Sequence, residues 1–553
     1  MTIEERIIEK LLKAVAAAQL DTDMSSELSL APSKQKSHGD LATNIALVIA
    51  SREKKNPREI AERIVKHLDL GDIGVQDIDI AGPGFINFTF SLSYHLNKLN
   101  ELLQSGTEYG QCESGGGKKT QVEFVSANPT GPLTIGHGRQ AVIGDTIARL
   151  LEATGYNITR EYYFNDAGRQ MRVLGDSVRL RYLELLGESV TFPEDYYQGG
   201  YIGDIARQIK DEKHDQLRSE TDVAYFQQKA ESVIFQDIKD TVGRLGIQFD
   251  VFFNEKSLYE SGEIEAIIQS LKNKDLAYDH EGAVWFRTTK FGMEQDRVIV
   301  KSSGEPTYRL PDIAYHKNKL DRGFELIIDI FGADHIATYP DVLAGIEALG
   351  YDKSKIQVLI HQFVTLMEGK EKIKMSTRKA NFVTLDELID EVGVDATRYF
   401  FLNRSMTSHL NFDLSLAKTQ SDENPVYYVQ YAHARVCSIL QYAREQGYDP
   451  ESEADLNLLK TEEEIALIKI LLFFPKVIMD AAELFEPHRL PSYLEEVATV
   501  YHRFQHAGKR HDNLRVVTKN KTLTMARLAL CRATRIVLAN GLKLMGISAP
   551  EHM

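Results

Sequence analysis

The residues that could do chemistry are concentrated in two segments, and the first runs from Ser126 to Arg139 (SANPTGPLTIGHGR). It follows a strand pattern and leads into a helix pattern, which is where open α/β sheets bind ligands. Gly136 has no side chain, so a flat base or a phosphate can approach the backbone. His137 lies at the helix N-terminus, which favours an anion, and can donate to a phosphoryl oxygen that gains charge during a reaction. The alternative interpretation is a helix-capping histidine beside a turn glycine.

The second segment is the basic loop Lys370–Lys379 (KEKIKMSTRK), which follows a hairpin turn expected at Gly369. Five of its ten residues are Lys or Arg. A mobile loop of this charge can close over a triphosphate and neutralise it. The alternative interpretation is a solvated basic turn.

These two segments need a sheet to position them, and the sequence predicts one. Apolar strand patterns alternate with helix patterns, and the strands are expected at 120–125, 157–164, 326–332 and 356–363, with helices at 139–154 and 341–349. Strand–helix–strand units of roughly 30 residues are typical of a parallel sheet with helices packed on it. A charged stretch with scattered aromatic residues, about 171–270, indicates an insertion into this sheet domain.

Two flanking regions complete the chain. Residues 1–110 alternate helix and strand patterns, with a hairpin expected about Ala81-Gly82-Pro83-Gly84, and predict a small α/β domain. Gly115-Gly116-Gly117 is the clearest linker. From about residue 421 the strand patterns end, and long helical periodicity predicts an antiparallel helix bundle.

Composition excludes several classes of protein. A chain of 553 residues with 43% apolar residues can bury several cores, which excludes wholesale disorder. Its three cysteines are too few for a disulfide scaffold, lack the spacing of a zinc site and suit a reducing compartment. We see no secretory signal pattern, and no apolar run approaches the roughly 18 residues that cross a bilayer. We therefore expect a soluble, cytoplasmic protein.

The net charge of −15 by itself argues against a nucleic-acid-binding protein. The charge is uneven, however, because residues 501–553 contain ten Lys or Arg and two Asp or Glu. A basic terminal segment is typical of a polyanion-binding surface, since phosphate contacts supply most non-specific affinity for nucleic acids. A bundle with one basic helical face has the same composition, and charge alone leaves both interpretations open.

Longer stretches of the sequence resemble one family. The glycine–histidine loop is similar to the HIGH motif, and Lys374-Met375-Ser376-Thr377 to the KMSK motif, of class I aminoacyl-tRNA synthetases. The segments FPEDYYQGGYIGDIA, PTYRLPDIAYH and ENPVYYVQYAHAR resemble arginyl-tRNA synthetases. HGDLATNIAL with AGPGFINF resembles that family's additional N-terminal domain, and RLALCRATRIVLANGLKLMG its anticodon-binding terminus. The resemblance covers essentially the whole chain.

The resemblance implies a three-part α/β architecture. A Rossmann-like catalytic domain is expected at 118–415, with the insertion at about 171–270. An α/β N-terminal domain that contacts tRNA is expected at 1–112, and an all-α anticodon-binding bundle at 416–553.

The implied activity is that of an arginine–tRNA ligase. Such an enzyme activates L-arginine with ATP to arginyl-adenylate and transfers it to the 2′-hydroxyl of the terminal adenosine of tRNA(Arg), releasing AMP and pyrophosphate. The resemblance also implies that tRNA is bound before activation. Mg²⁺ is expected to accompany ATP without a metal site made by the protein alone. We expect a monomer and no membrane partner.

The resemblance assigns catalytic and ATP-binding roles to residues of both segments. His137 would stabilise the pentavalent phosphorus, Lys374 would neutralise the leaving pyrophosphate and Ser376 would hold the loop. The full ATP-binding set is expected to be Thr134, Gly136, His137, Gly138, Lys374, Met375 and Ser376.

Arginine recognition is expected to depend on Asp312. A guanidinium is always charged and prefers planar, bidentate partners, so its pocket needs a carboxylate. Tyr308 precedes Asp312 by four residues, which allows both to converge on one group; without the resemblance, an ordinary Tyr/Asp pair on a helix surface is the favoured interpretation. The full arginine-binding set is expected to be Ser126, Asn128, His137, Tyr308, Asp312 and His335. Asp334 could instead face the ATP ribose, and for Glu123 a pocket role and a structural role are equally open.

An aromatic and amide cluster at a helix start is the expected RNA contact, and two of its four members are expected to touch bases: Tyr427, Tyr428, Gln430 and Tyr431. Single-stranded bases stack on aromatic rings and are recognised along their edges by amides.

Two positions depart from the strict motifs. Thr134 replaces the first histidine of HIGH, and Thr377 replaces the second lysine of KMSK. Thr134 still offers one donor, and Arg378 or Lys379 could supply the missing cation, so we expect activity to survive. Two other functions remain open from the residues alone: a small-molecule nucleotidyltransferase, and a tRNA-binding relative that has lost activity.

Overall fold

The structure is a computed structural model that describes residues 3–20, 30–32, 39–166, 168–333, 336–369, 371–373 and 383–553. The chain forms two compact units. The first takes residues 1–106, 439–472 and 503–533, and the second takes 107–438, 473–502 and 534–553. The helical C-terminal region therefore contributes to both units. The expected division into three consecutive domains, at 112/118 and 415/416, stays a prediction.

The first unit begins with an antiparallel sheet and helices packed on it. Its elements are α1 (Ile3–Ala17), β1 (Leu30–Pro32), β2 (Leu41–Thr43), α2 (Ile45–Glu53), α3 (Pro57–Lys66), β3 (Val75–Ala81), β4 (Phe85–Phe90) and α4 (Leu92–Ser105). The strand order is β1-β2-β4-β3, and β3 and β4 form the predicted hairpin. Apolar residues of α1, α2 and α3 pack on this sheet to make a core, which confirms the predicted small α/β fold.

Within the described residues, the second unit is built on a parallel sheet of five strands. Its elements are β5 (Lys119–Glu123), α5 (Ile135–Ala153), β6 (Asn157–Phe164), α6 (Gly168–Leu185), α7 (Gly200–Lys213), α8 (Ala224–Arg244), β7 (Val251–Asn254), α9 (Lys256–Glu260), α10 (Glu263–Asn273), β8 (Ala277–His280), β9 (Ala283–Phe286), β10 (Arg297–Val300), α11 (Arg309–Asp321), β11 (Leu326–Gly332), α12 (Tyr339–Leu349) and β12 (Ile356–His361). The order β12-β11-β5-β6-β7, with parallel pairing throughout, confirms the predicted Rossmann-like sheet. Strands β8, β9 and β10 form a separate antiparallel sheet.

One strand of the parallel sheet lies inside the stretch expected to be an insertion, about 171–270. β7 pairs with β6 from Glu161↔Val251 to Phe164↔Asn254, so the chain has returned to the sheet before that stretch ends. The sequence pattern does not predict β7 because four residues, VFFN, are too few to show a period. The strand places Glu255 directly after the carboxyl end of a sheet strand.

The chain then forms a hairpin and continues as helices. The remaining elements are β13 (Val364–Glu368), β14 (Glu371–Lys372), α13 (Leu385–Val392), α14 (Val394–Leu402), β15 (Leu410–Asp413), α15 (Leu414–Lys418), α16 (Pro425–Glu445), α17 (Glu462–Leu472), α18 (Phe474–Glu483), α19 (Arg489–Arg510) and α20 (Lys521–Leu544). β13 and β14 are antiparallel, which confirms the hairpin about Gly369. From residue 421 onward, where every residue is described, the regular structure is helical, as predicted. In the described part of the chain, each helix is too short or too polar to cross a membrane.

Candidate active site

The loop after β5 begins with strained backbone. Val125 and Ser126 have φ angles of 70° and 42°, a region that non-glycine residues, and β-branched ones above all, rarely occupy. Such a conformation costs about 1–3 kcal/mol and persists only where neighbours hold it. Here the Ser126 hydroxyl donates to Glu123 Oε1 (2.8 Å) and accepts from the Tyr163 amide (3.1 Å). These bonds hold a sharp turn of the backbone at the carboxyl edge of the sheet, where a ligand can contact the loop.

Asn128 fixes the next part of this loop. Its Oδ1 accepts from the Asn165 amide (3.1 Å), and its Nδ2 donates to Gln170 (3.3 Å). Ser126 and Asn128 therefore both lie at the edge where a substrate is expected, and both also hold the loop against the end of β6. Their roles in binding the amino acid stay predictions.

His137 lies in the first turn of α5. The Thr134 amide donates to His137 Nδ1 (3.2 Å), and Thr134 Oγ1 lies 3.3 Å from the same nitrogen. An amide N–H can only donate, so Nδ1 accepts and the neutral ring carries its proton on Nε2. The two interpretations of this histidine are thus compatible, because one nitrogen caps the helix while the other is an N–H donor.

The two glycines beside His137 differ in what requires them. A Cβ at Gly138 would lie 2.5 Å from Leu385 Cδ1 and 3.1 Å from the Phe401 ring, so the packing of α13 and α14 on α5 requires glycine there. A Cβ at Gly136 would meet nothing closer than Thr134 Oγ1 at 3.7 Å. The protein itself therefore leaves space at Gly136, as a ligand-binding glycine would. The contact of either glycine with ATP stays a prediction.

The His137 loop contacts two residues that follow the basic loop in the sequence, Thr384 and Leu385. The Leu385 amide donates to the Leu133 carbonyl (2.9 Å), and Thr384 pairs with Thr134 in an antiparallel bridge. These contacts bring together two segments that are more than 200 residues apart in the sequence. The predicted site residues of the loop itself lie outside the described residues, as do two neighbours of β11: Lys374, Met375, Ser376, Thr377, Arg378, Lys379, Asp334 and His335.

Asp312 is a half-buried carboxylate in the first turn of α11. Because α11 leads directly into β11, its N-terminus lies at the carboxyl edge of the sheet, the edge that also carries the His137 loop. Burial, reinforced by repulsion from Glu255 and Glu123, raises the pKa of Asp312 from 3.8 to about 7, although His316 and Lys319 oppose the shift. Among the described residues, no cation lies within ion-pair distance of it.

Glu255, directly after β7, is a second acidic group that acts on Asp312. Asp312, Glu255 and the two tyrosines that contact Glu255 are together called the pocket. The Tyr163 hydroxyl donates to its Oε2 (2.6 Å), and the Tyr259 hydroxyl lies 3.4 Å from its Oε1. Burial raises the pKa of Glu255, and the charge of Asp312 adds to the effect of burial in raising the pKa of both tyrosines. The arrangement is two carboxylates beside phenol rings, which suits a flat cation.

Tyr308 differs from Asp312 in its exposure to solvent. Its side chain is 79% exposed, whereas Asp312 is half-buried. Tyr308 immediately precedes α11. A side chain at the start of a helix leans away from the helix body, and that of Tyr308 is directed toward solvent. The expected convergence of Tyr308 and Asp312 on one group stays a prediction.

Three pocket residues are not among those predicted from sequence: Tyr163, Glu255 and Tyr259. A signal for two of them is available, since Tyr163 lies at the end of β6 and Glu255 follows β7, and ligands bind at the carboxyl ends of parallel strands. Finding Glu255 this way requires β7, which has no sequence pattern.

At the start of α16, the rings of Tyr427 and Tyr431 are stacked, 6.2 Å apart and 6° from parallel. His502 continues the group, 5.9 Å from Tyr431 and 4.9 Å from Tyr428. All four residues are half-buried, so part of each is accessible to solvent, and the stacking of RNA bases on these rings stays a prediction.

Gln430 differs from these rings. It is 8% exposed, and its Nε2 donates to Asp395 (2.8 Å) and to the Ser548 carbonyl (3.0 Å). These bonds direct the Gln430 amide toward α14 and the C-terminal segment, and its contact with RNA stays a prediction.

Comparison with known proteins agrees with this geometry. Residues 98–408 match the family model described as tRNA synthetases class I (R), catalytic domain. Residues 2–90 match the arginyl tRNA synthetase N terminal domain, and 429–553 match the DALR anticodon binding domain. The second unit has a parallel sheet with a histidine loop at its carboxyl edge, and its sequence matches this catalytic model. The chain is therefore a class I aminoacyl-tRNA synthetase.

Similar proteins of known name identify the family within this class. The arginine–tRNA ligase of Desulfotalea psychrophila is 53% identical over 94% of each chain, and that of Salinibacter ruber is 49% identical over 98% of this chain and 99% of its own. The chain belongs to the arginyl-tRNA synthetase family. The solved structure of Thermus thermophilus arginyl-tRNA synthetase, 22% identical, covers all of both chains with a TM-score of 0.79 and shares the fold.

Proposed function

We propose that this chain is an arginine–tRNA ligase that activates L-arginine with ATP and transfers the arginyl group to the 2′-hydroxyl of the terminal adenosine of tRNA(Arg). AMP and pyrophosphate are released. The single observation that carries the proposal is the acidic pocket of Asp312 and Glu255, which lies at the same sheet edge as the His137 loop. Membership of the arginyl-tRNA synthetase family supports it.

The pocket chemistry favours arginine over other amino acids. A guanidinium stays charged and planar at any physiological pH, and it can offer paired N–H donors to Asp312. Binding it would give Asp312 the ion-pair partner that no described residue provides, and would favour the ionised form that burial disfavours by raising the pKa of Asp312. Citrulline has the same shape without the charge, so it is expected to bind far more weakly.

The proposed roles in adenylate formation follow from the His137 loop. A carboxylate oxygen of arginine attacks the α-phosphorus, and the bond from that phosphorus to the pyrophosphate oxygen breaks. The N–H donor on His137 Nε2 would stabilise negative charge on the α-phosphoryl oxygens. Lys374 would neutralise the leaving pyrophosphate, with Ser376 and Met375 holding the loop. Arg378 or Lys379 would supply the cation that Thr377 does not.

Mg²⁺ is proposed to enter with ATP. Among the described residues, no group of three or more His, Cys, Asp and Glu side chains could hold a metal ion. Mg²⁺ commonly binds through substrate phosphates and one or two carboxylates, so the phosphates would be its main ligands.

The tRNA is proposed to contact both ends of the chain. The stacked rings of Tyr427 and Tyr431 and the basic segment 501–553 support anticodon binding by the C-terminal helices, and the N-terminal domain would contact the outer corner of the tRNA. We propose further a monomer in the cytoplasm. The cysteines, all free thiols, support a reducing compartment.

Aminoacylation of tRNA with each amino acid in turn tests the proposal. Only arginine should be joined to tRNA, and citrulline should not. Ribonuclease treatment should abolish product formation, and product that survives it would indicate the nucleotidyltransferase instead. Arginine-dependent pyrophosphate exchange should require cognate tRNA. A folded protein that binds tRNA but gives no exchange would be the inactive tRNA-binding relative.

A further inference from the structure

Beneath the pocket, four buried charged side chains form one network. Lys319 Nζ lies 2.5 Å from Glu123 Oε2 and 2.5 Å from Asp329 Oδ1. His316 Nε2 lies 2.9 Å from Asp329 Oδ2, and His316 Nδ1 lies 2.7 Å from the backbone carbonyl of Asp312. Their exposed fractions are 5% or less. The network therefore joins α11, which carries Asp312, to strands β5 and β11.

The hydrogen-bond partners define the charge of His316. A carbonyl oxygen can only accept, so Nδ1 must donate to Asp312 O. Burial alone would raise the pKa of Asp329, but Lys319 and His316 outweigh it and hold that pKa below its ordinary range, so Asp329 is an ionised acceptor. Both ring nitrogens therefore donate, and His316 is an imidazolium.

The position of His316 links this charge to the pocket. His316 follows Asp312 by four residues, which places both on the same face of α11. Its Nδ1–H holds the first turn of the helix through the Asp312 carbonyl, and its Nε2–H ties that turn to β11. The cation is thus hydrogen-bonded to the backbone of the residue whose carboxylate is expected to bind the guanidinium, and its charge opposes the rise in the pKa of that carboxylate.

We propose that His316 is a positioning residue for arginine recognition, which holds the first turn of α11 against β11 and keeps the Asp312 carboxylate ionised for the guanidinium. The inference rests on the proposed function.

The charges around Asp312 make His316 important to its ionisation. The groups that act on it are His316 and Lys319 from α11, Glu123 from β5, Tyr163 from β6, Glu255 after β7 and Tyr259 from α9. The two cations among them are both on α11, and the other groups are acidic or phenolic. Removing the charge of His316 should therefore move the ionisation of Asp312 to higher pH.

The test is His316→Gln, which keeps a hydrogen-bonding amide and removes the charge. The full-length protein with tRNA is assayed for the arginine KM from about pH 6 to pH 9. At pH 7 the arginine KM should rise by about fivefold for a tenfold loss in the acidity of Asp312, because its ionised fraction falls from about one half to about one eleventh. The kcat and the ATP KM should stay near wild type. The pH at which the arginine KM levels off should move upward, and the difference from wild type should narrow at high pH.

His433→Gln is a matched control. His433 is also buried, and its Nδ1 lies 2.8 Å from the Pro550 carbonyl, so the same substitution there replaces a similar histidine–carbonyl bond away from Asp312. This control should leave the pH profile of the arginine KM unchanged.

Each outcome decides a different question. A wild type that joins arginine to tRNA, with the same pH profile in a folded His316→Gln variant, overturns this inference alone. A wild type that does not join arginine to tRNA at any pH overturns the proposed function and the inference with it. If His316→Gln does not fold, histidine-ring ¹⁵N spectra of the wild type decide: an imidazolium should persist above neutral pH, and its absence overturns the proposal.

Discussion

At the residue scale, the site depends on a carboxylate in an unfavourable environment. Burial and the neighbouring Glu255 raise the pKa of Asp312 to about 7, and the described residues provide no ion pair for it. An arrangement that weakens folding and strengthens binding is a common feature of functional sites. Asp312 should therefore affect stability and arginine affinity in opposite directions.

We expect Asp312→Asn to raise the arginine KM by about one to two orders of magnitude, because a charge-assisted pair is worth about 1.5–3 kcal/mol. The ATP KM should change little. Because the folded-state pKa is above the ordinary 3.8, the stabilising contribution of Asp312 is present below about pH 4 and lost as pH rises to about 7. At pH 8 the variant should therefore unfold at the same temperature as wild type or higher.

Asp321→Asn is the control for this prediction. Asp321 is in the last turn of the same helix and pairs with Lys317 on the surface, with its side chain 42% exposed. Steady-state kinetics should show no change in the arginine KM. An unchanged arginine KM in Asp312→Asn as well would place the guanidinium elsewhere.

At the element scale, the start of α5 serves both packing and binding. Its glycines at 136 and 138 look alike in sequence, but the packing of α13 requires only the second. The inserted segment also supports this loop, because the Tyr201 hydroxyl donates to the Thr130 carbonyl at 2.8 Å. The loop is thus held by elements that are distant in sequence.

The two glycines provide a matched pair of variants. Gly138→Ala should destabilise the protein by about 1–3 kcal/mol, since its Cβ would overlap Leu385. Gly136→Ala should leave stability unchanged or raise it by up to about 1 kcal/mol, because alanine favours a helix, yet it should raise the ATP KM. Thermal unfolding and ATP kinetics measure the two effects. The prediction fails if Gly136→Ala binds ATP as wild type does.

The stacked rings of α16 allow a similar comparison. Tyr427→Ala and Tyr431→Ala should each weaken tRNA binding by about 1–3 kcal/mol, the value of one base stacked on an aromatic ring, and leave the arginine KM unchanged. Tyr442→Ala is the control, because Tyr442 is in the same helix and 51% exposed. Filter binding of labelled tRNA measures the effect, and equal affinity in all three variants would contradict it.

At the scale of the whole molecule, the second unit is assembled from separated parts of the chain. Arg398 Nε donates to the Met545 carbonyl (2.6 Å), and its NH1 donates to the Leu245 carbonyl (2.8 Å). Its NH2 pairs with Asp145 of α5 at 2.6 Å. One buried guanidinium therefore joins the end of the chain to the helix that carries His137.

Arg398→Gln should destabilise this unit by about 3–5 kcal/mol, because it leaves Asp145 and two carbonyls short of buried partners. Arg149→Gln is the control, since Arg149 also pairs with Asp145 but is 28% exposed, and a pair of that kind contributes about 0–1 kcal/mol. Denaturant unfolding measures both. Equal midpoints for the two variants would show that Arg398 does not hold the unit together.

Much of the fold and part of the site could be predicted from the sequence because they are local in origin. Periodicity identified the strands Asn157–Phe164 and Leu326–Gly332, the hairpin about Gly369 and the C-terminal helices. The types and spacing of residues around His137 indicated phosphate chemistry, whereas the guanidinium role of Asp312 was implied by the resemblance to arginyl-tRNA synthetases. These properties depend on neighbours within a few positions, which sequence alone contains.

The tertiary structure alone decided which side chains meet. It buried Gln430 and left Tyr431 half-buried one position away, exposed Tyr308, brought Glu255 beside Asp312, and paired His316 with Asp329. Each of these outcomes depends on packing between elements that are far apart in the chain. The charge of a buried group likewise depends on all the groups around it, and no local pattern contains that information.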